Sequence, residues 1–275
     1  MRQFLLSICF SLVLLVSLKA QEALHHEPGI KHVMNSEYLG EAREYWVSLP
    51  FRYADTASYP VIYVLDAEWR FNLTRHIVFD QGGNDIIERA IIVGIPHVEV
   101  MEKRGRDLTF SQSRTEYDGD TVDSTWYNST NSGGGQHFYR YLVEELIPAV
   151  NSKYATNGHE TLVGHSYGGY FGGYLLSLPH PFEVLHIYDP SIWFSGGEVI
   201  DRFKSSLHKE SLPVAVHITY QPKPLYHREK IEAFIRELEG TEGITVTKRF
   251  YPHLSHNALF VDSFYDGIRL THRKK

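Results

Sequence analysis

One stretch constrains the fold of this chain more than any other: Thr161-Leu-Val-Gly164-His165-Ser166-Tyr167-Gly168-Gly169. A short β-prone apolar run enters Gly-His-Ser-Tyr-Gly, and a glycine-rich helical stretch, Gly168 to Tyr174, leaves it. Glycines on both sides of the serine permit a tight strand-to-helix turn and a close approach of the two elements, which leaves the hydroxyl exposed at the tip. The helix that follows offers unpaired N–H groups and the positive end of its dipole. Ser166 is therefore a candidate nucleophile, and its surroundings are one repeat of an alternating strand–helix fold.

The rest of the chain keeps that rhythm. Arg43 to Leu49 reads as a strand ended by Pro50, and Val61 to Leu65 and Ala90 to Ile95 are short β-rich runs. Continuous apolar runs of this kind fit strands buried on both faces. From His137 to Tyr154 the period becomes helical, with Phe138, Leu142, Leu146, Ile147 and Val150 on one side. A helix over Tyr167 to Leu178, strands at Val184 to Tyr188 and Val214 to Tyr220, a helix over Tyr226 to Leu238, a strand at Ile244 to Tyr251 and a helix over Asn257 to Leu270 complete the series. Such alternation predicts right-handed βαβ units and a mostly parallel sheet. Val98 to Gly135 has no clear period and is rich in Ser, Thr, Asp and Gly, which predicts a functional loop, a lid or a mobile segment. The 275 residues contain no linker or repeat, and 43% hydrophobic content suits one large globular core. A formal net charge of −6 argues against a nucleic-acid partner.

The N-terminus carries an address. Arg2, the apolar run Phe4 to Leu18, and Ala20 before Gln21-Glu22 form the pattern of a cleavable secretory signal. The expectation is a signal peptide over 1–20, a single mature domain over 21–275, and a secreted or periplasmic location. The apolar run is shorter than the ~20 residues of a membrane span, so no stable membrane insertion is expected after cleavage. Cleavage also removes Cys9, the only cysteine, which excludes a disulfide scaffold, a cysteine nucleophile and a thiolate metal site.

A serine nucleophile needs a base. In alternating folds with this turn, the histidine follows the last strand and precedes the last helix. Tyr251-Pro-His253-Leu-Ser-His256-Asn-Ala258 occupies that place, and His256, nearer the helix, is the first choice before His253. His180, His208 and His227 read as surface residues. The acid is harder to find, because the loop after Val214 to Tyr220 reads Gln221-Pro-Lys223-Pro-Leu-Tyr226, without Asp or Glu. Three solutions stand open: Asp189 at the end of the preceding strand, Glu229 in the next helix, or a Ser–His dyad with no acid. Asp189 is the first of these.

These residues resemble a family. Tyr59-Pro-Val-Ile-Tyr-Val-Leu-Asp66, Arg106-Asp-Leu-Thr109, Tyr139 to Tyr154, Leu162-Val-Gly-His-Ser-Tyr-Gly-Gly169 and Asp189-Pro-Ser-Ile-Trp193 together resemble the esterase branch of the α/β-hydrolases that includes enterobactin-type siderophore esterases. The resemblance implies an α/β-hydrolase fold, a mostly parallel central sheet with helices on both faces, and Ser166 and His256 as catalytic residues. It also shows two departures. Many relatives have Gly-Glu at Tyr220-Gln221 and Ser at Asp189, a paired change that favours relocation of the acid.

The function expected on this reading is cleavage of a small-molecule carboxylic ester, a siderophore or carbohydrate ester among them, through an acyl-enzyme. The N–H groups of Tyr167 and Ala67 are the expected oxyanion donors, with Glu68 second. Arg106 is the expected substrate-orienting residue, since a guanidinium grips an anionic group by two bonds. Trp69 and Trp193, with Phe71, are candidates for an aromatic wall. No cofactor or metal is expected. The alternatives are an acyltransferase using the same serine and a non-catalytic binding relative of the fold.

Overall fold

The computed structural model describes residues 29–206 and 214–274; the expected signal segment 1–20 and His208 lie outside them. The described residues form a sheet of eight strands: β1 (Ile30–Ser36), β2 (Glu41–Ser48), β3 (Tyr59–Leu65), β4 (Ile91–Ile95), β5 (Thr156–His165), β6 (Phe182–Tyr188), β7 (Val214–Tyr220) and β8 (Ile244–Phe250). Their order is β1-β2-β4-β3-β5-β6-β7-β8. β2 pairs antiparallel with β1 and β4, and from β4 to β8 every pairing is parallel. Every residue of β3 and β4 is buried, as continuous apolar runs require when helices cover both faces.

The helices are α1 (Ala67–Gly83), α2 (Val100–Leu108), α3 (Gly135–Arg140), α4 (Ile147–Lys153), α5 (Tyr167–Leu175), α6 (Glu198–Ser205), α7 (Leu225–Glu239) and α8 (Leu259–Thr271). The single helix expected over 137–154 is interrupted by a π-helical turn, Tyr141–Leu146, before α4. Pro148 at the start of α4 lacks the N–H that a regular helical ladder needs there, so the ladder shifts register just upstream. β1, α1, α2 and α6 were not marked by the periodicity, and 98–135 contains α2 before it becomes irregular.

Apolar side chains form two cores, one per face. The larger joins Tyr63, Leu65, Phe138, Leu142, Phe171, Ile187 and Phe234; the smaller joins Val64, Phe71, Val163 and Tyr188 to Phe260, Phe264 and Ile268 of α8. Where α8 crosses β6 and β7 the contact is polar. His186 accepts or donates to Tyr188 Oη (2.6 Å) and Thr271 Oγ1 (2.9 Å), His217 Nδ1 meets Thr247 Oγ1 (2.8 Å), and His272 Nε2 meets Thr161 Oγ1 (3.0 Å). Gly267 lets α8 come this close: a Cβ there would lie 2.7 Å from His217 and 2.8 Å from Tyr188 Oη. Burial holds these histidines neutral, His217 down to about 4, His272 to about 3 and His186 well below its ordinary value.

The registers Leu65↔Ile95, His165↔Tyr188, Tyr188↔Thr219 and Tyr220↔Phe250 level the carboxyl ends of six strands. Asp66, His97, Ser166, Asp189, Lys223 and His256 all follow those ends. That edge is where parallel α/β sheets collect their functional groups.

Candidate active site

The turn between β5 and α5 is the one the glycine spacing demands. Ser166 has φ 61 and ψ −117, outside the comfort of an L-residue, and its neighbours fix it there. Ser166 N–H donates to Tyr188 O (3.0 Å), and its own carbonyl accepts from Tyr170 N–H (2.9 Å) and Ser191 N–H (3.1 Å). A Cβ at Gly164 would lie 2.2 Å from Gly168 O, so nothing larger than hydrogen fits at that position. Asp66 (φ 57) and Asp189 (φ 41) are left-handed as well, so three strand ends carry strained residues within one edge.

Asp189 and His256 meet. His256 Nδ1 lies 2.6 Å from Asp189 Oδ2, the carboxylate is fully buried, and the ring is 37% exposed. Burial alone would raise the Asp189 carboxyl. The hydrogen bond from His256 and the Lys223 ammonium outweigh it and hold the group below its ordinary value. His256 also packs against His165 at 4.3 Å between ring centroids, the rings tilted by 35°, and His165 Nε2 donates to the His256 carbonyl (2.7 Å). Burial first, then the nearby His256, hold His165 neutral, down to about 3. His256 is thus pinned to the residue beside Ser166 on one side and to the acid on the other. Glu229 and His253 are exposed, and His256 and Asp189 bond to each other instead. His227, expected on the surface, is buried and reaches Pro190 O (2.9 Å), and His180 is buried too.

The opposite wall comes from β3 and α1. Ala67 and Tyr167 each open a helix, where the helical ladder leaves an N–H without an intrahelical carbonyl. A Cβ on Gly168 would touch Leu65 (3.4 Å), so the two helix starts face each other across a narrow gap. Arg104 ties them: Nε and Nη2 grip Asp66 (2.6 and 2.8 Å) and Nη2 reaches His165 O (3.3 Å). Behind them His97, fully buried, lies 3.3 Å from Asp66 Oδ1 and 3.6 Å from Asp107 Oδ2, and Asp107 Oδ2 accepts from buried Arg43 (2.7 Å). Burial opposes the charge on both carboxyls. Arg104 and His97 nevertheless hold Asp66 far below its usual range, and His97 and Arg43 bring Asp107 to about 2.

Beside Tyr167 opens a cleft of about 360 Å³ lined by Trp69, Arg104, Trp126, Tyr127, Asn131 and Tyr167. The Arg104 guanidinium lies 5.9 Å from the Trp69 ring and 5.6 Å from the Tyr167 ring. Here the expectation for Arg106 is corrected. Its guanidinium is held by Glu41 (2.9 Å) and Asp107 (2.7 Å), whereas Arg104, two residues earlier on α2, lines the cleft while its own N–H groups hold Asp66. Trp69 lines the cleft as expected. Trp193 is 6% exposed and packs behind Tyr167 and His227, and Phe71 belongs to the core. Trp126, Tyr127 and Arg104 gave no signal in the sequence, because the segment that carries the first two has no periodicity.

His165, Asp189 and His256 offer ligand atoms within 4.8 Å of one another, a spacing that a metal ion can use. The Lys223 ammonium, 2.7 Å from Asp189 Oδ2, already places a positive charge on that carboxylate, which a second cation there would have to meet.

Residues 36–233 match the family described as Putative esterase. The chain is 28% identical over 224 residues to the ferri-bacillibactin esterase BesA of Bacillus subtilis (strain 168), a match spanning 77% of this chain and 76% of BesA. It is similar in structure to an IroE-like serine hydrolase from Shewanella oneidensis, with a TM-score of 0.78 at 27% identity over 88% of this chain and 79% of that one. The BES protein of Bacillus cereus shares the fold, with a TM-score of 0.77 at 22% identity over 92% and 98%.

Proposed function

The chain belongs to this esterase family of the α/β-hydrolases, and from that premise we propose that Ser166, His256 and Asp189 form the triad with which it cleaves a siderophore ester. That the chain is a serine ester hydrolase follows from its family and relatives. The observation that carries the residue assignment is the 2.6 Å contact between His256 Nδ1 and the buried Asp189 carboxylate, beside the strained Ser166 turn.

Asp189 accepts a hydrogen bond from Nδ1–H, which leaves Nε2 as the basic nitrogen. Nε2 takes the Ser166 proton as Oγ attacks the ester carbonyl. The N–H groups of Tyr167 and Ala67 stabilise the oxyanion, and His256 returns the proton to the departing alcohol. Water activated by the same ring then releases the acid and restores Ser166. The siderophore assignment draws on the named activity of BesA and on the cleft, where a guanidinium between flat rings suits an aromatic, electron-rich acyl group. The Arg2 start, the apolar run and Ala20 support action outside the cytoplasm.

Purified residues 21–275 assayed on a siderophore lactone, an acetylated sugar, a feruloyl ester and a short aliphatic ester should favour the siderophore. S166A should lose more than ~10⁴-fold in kcat, and D189N ~10²–10⁴-fold with little change in KM. Near-wild-type hydrolysis by S166A would sink the mechanism. A flat response across the panel would sink the substrate.

A further inference from the structure

Three donors converge on one oxygen of the proposed triad acid. Asp189 Oδ2 accepts from His256 Nδ1 (2.6 Å), Lys223 Nζ (2.7 Å) and Gln221 Nε2 (3.2 Å), while Oδ1 is buried without a hydrogen-bond partner. Lys223 Nζ also lies 3.4 Å from His256 Nδ1, and its side chain is 10% exposed. An ionised carboxylate only accepts, so Nδ1 must carry a proton to approach it so closely. The ammonium and the ring N–H therefore share one carboxylate oxygen. With little water reaching Lys223, its attraction for that oxygen is strong.

We propose that Lys223 is a positioning residue of the hydrolytic centre: its ammonium holds the Asp189 carboxylate in place against His256 Nδ1, so that the acid keeps the ring oriented for proton transfer. The inference rests on His256 and Asp189 acting as proposed above.

The other groups around the ring leave this role to Lys223. From the end of β5, His165 is neutral and packs against it. From α7, His227 is neutral, brought to about 4 chiefly by burial, and turned toward Pro190 O. Asp189 is the one carboxylate bonded to the ring among the described residues. Arg70 and Asp66 on the α1 side act on His165 with opposite signs. His253, in the same loop, is exposed. Lys223 comes from the loop after β7, whose sequence carries no Asp or Glu between Gln221 and Tyr226. That loop supplies the charge that holds the relocated acid instead.

The test is the kcat and KM of ester hydrolysis by K223M and K223R. In K223M kcat should fall about tenfold while KM changes by less than about twofold, because substrate still binds where the carboxylate is no longer held. K223R keeps the cation and should keep kcat within about threefold of the parent. If K223M does not fold, K223Q, which retains a hydrogen-bond donor without the charge, carries the same expectation. Loss of activity in S166A and D189N with an unchanged kcat in K223M overturns the role of Lys223 and leaves the triad intact. An equal loss in K223R and K223M overturns it as well.

Discussion

Two buried polar regions flank the sheet edge that carries Ser166, Asp189 and His256, and they are built on opposite principles. On the β3–β4 side, Arg43, Asp107, His97, Asp66 and Arg104 form a chain of opposite charges. Under α8, His186, His217 and His272 sit neutral among hydroxyls and aromatic rings. A histidine occurs in both, and its surroundings decide its state. Burial lowers all four. At His97 the carboxylates of Asp107 and Asp66 reverse the sign and raise it; beneath α8 no carboxylate bonds to His186 or His217, and both stay lowered. The ionic side supports the start of α1, which carries the Ala67 N–H. The neutral side supports α8, whose entry carries His256. One wall of the site is therefore held by charge, the other by hydroxyl contacts that protonation disrupts.

The largest expected consequence is acid lability. Histidines whose folded pKa is depressed lose stabilisation as pH falls below their unfolded value, because the unfolded chain takes up protons that the folded one refuses. Between pH 6.5 and 5 each of the three under α8 should withdraw roughly 1–2 kcal/mol, or about 5 kcal/mol together. Urea unfolding across that range measures it. H217L, which removes a ring whose Nε2 is buried without a partner, should flatten the slope by one histidine's share; an unchanged slope would show that His217 is already charged when folded. Next in size is the ionic side. D107A strips Arg43, whose side chain is 0% exposed, of its shortest partner and should cost about 4 kcal/mol at pH 7.5. A loss under about 1 kcal/mol would mean that water reaches Arg43, which would end the contrast. The smallest effect runs the other way in pH. His97 is raised, so its contribution is complete below about pH 6.5 and fades as pH rises through its folded value. H97Q should remove that alkaline decline, seen as a flatter Tm between pH 7 and 9.

Much of the architecture was legible because it obeys a single rule: strands buried on both faces are continuous apolar runs, as β3 and β4 are. Ser166 and its turn were legible because only glycine fits at position 164. What escaped follows from the same physics. In α1, Trp69, Phe71, Leu73, Ile77, Val78 and Phe79 spread around the helix, since both a core and a cleft touch it, so no single apolar face exists. α2 is charged because its buried face is ionic, and periodicity counts apolar residues. Arg104 and Arg106 are two residues apart on that helix and so point to opposite sides, which spacing alone cannot orient toward cleft or brace. The acid was narrowed to Asp189, Glu229 or none, and the 2.6 Å contact to His256 is a relation between residues 67 positions apart.

The left-handed conformation of Ser166 costs the fold stability. For folding alone, glycine is the better residue at φ 61 and ψ −117, because it adopts that region without a Cβ penalty. Exchanging Ser166 for glycine therefore trades a hydroxyl for stability. A hydroxyl at a place that folding would give to glycine is the arrangement that the proposed nucleophile asks for.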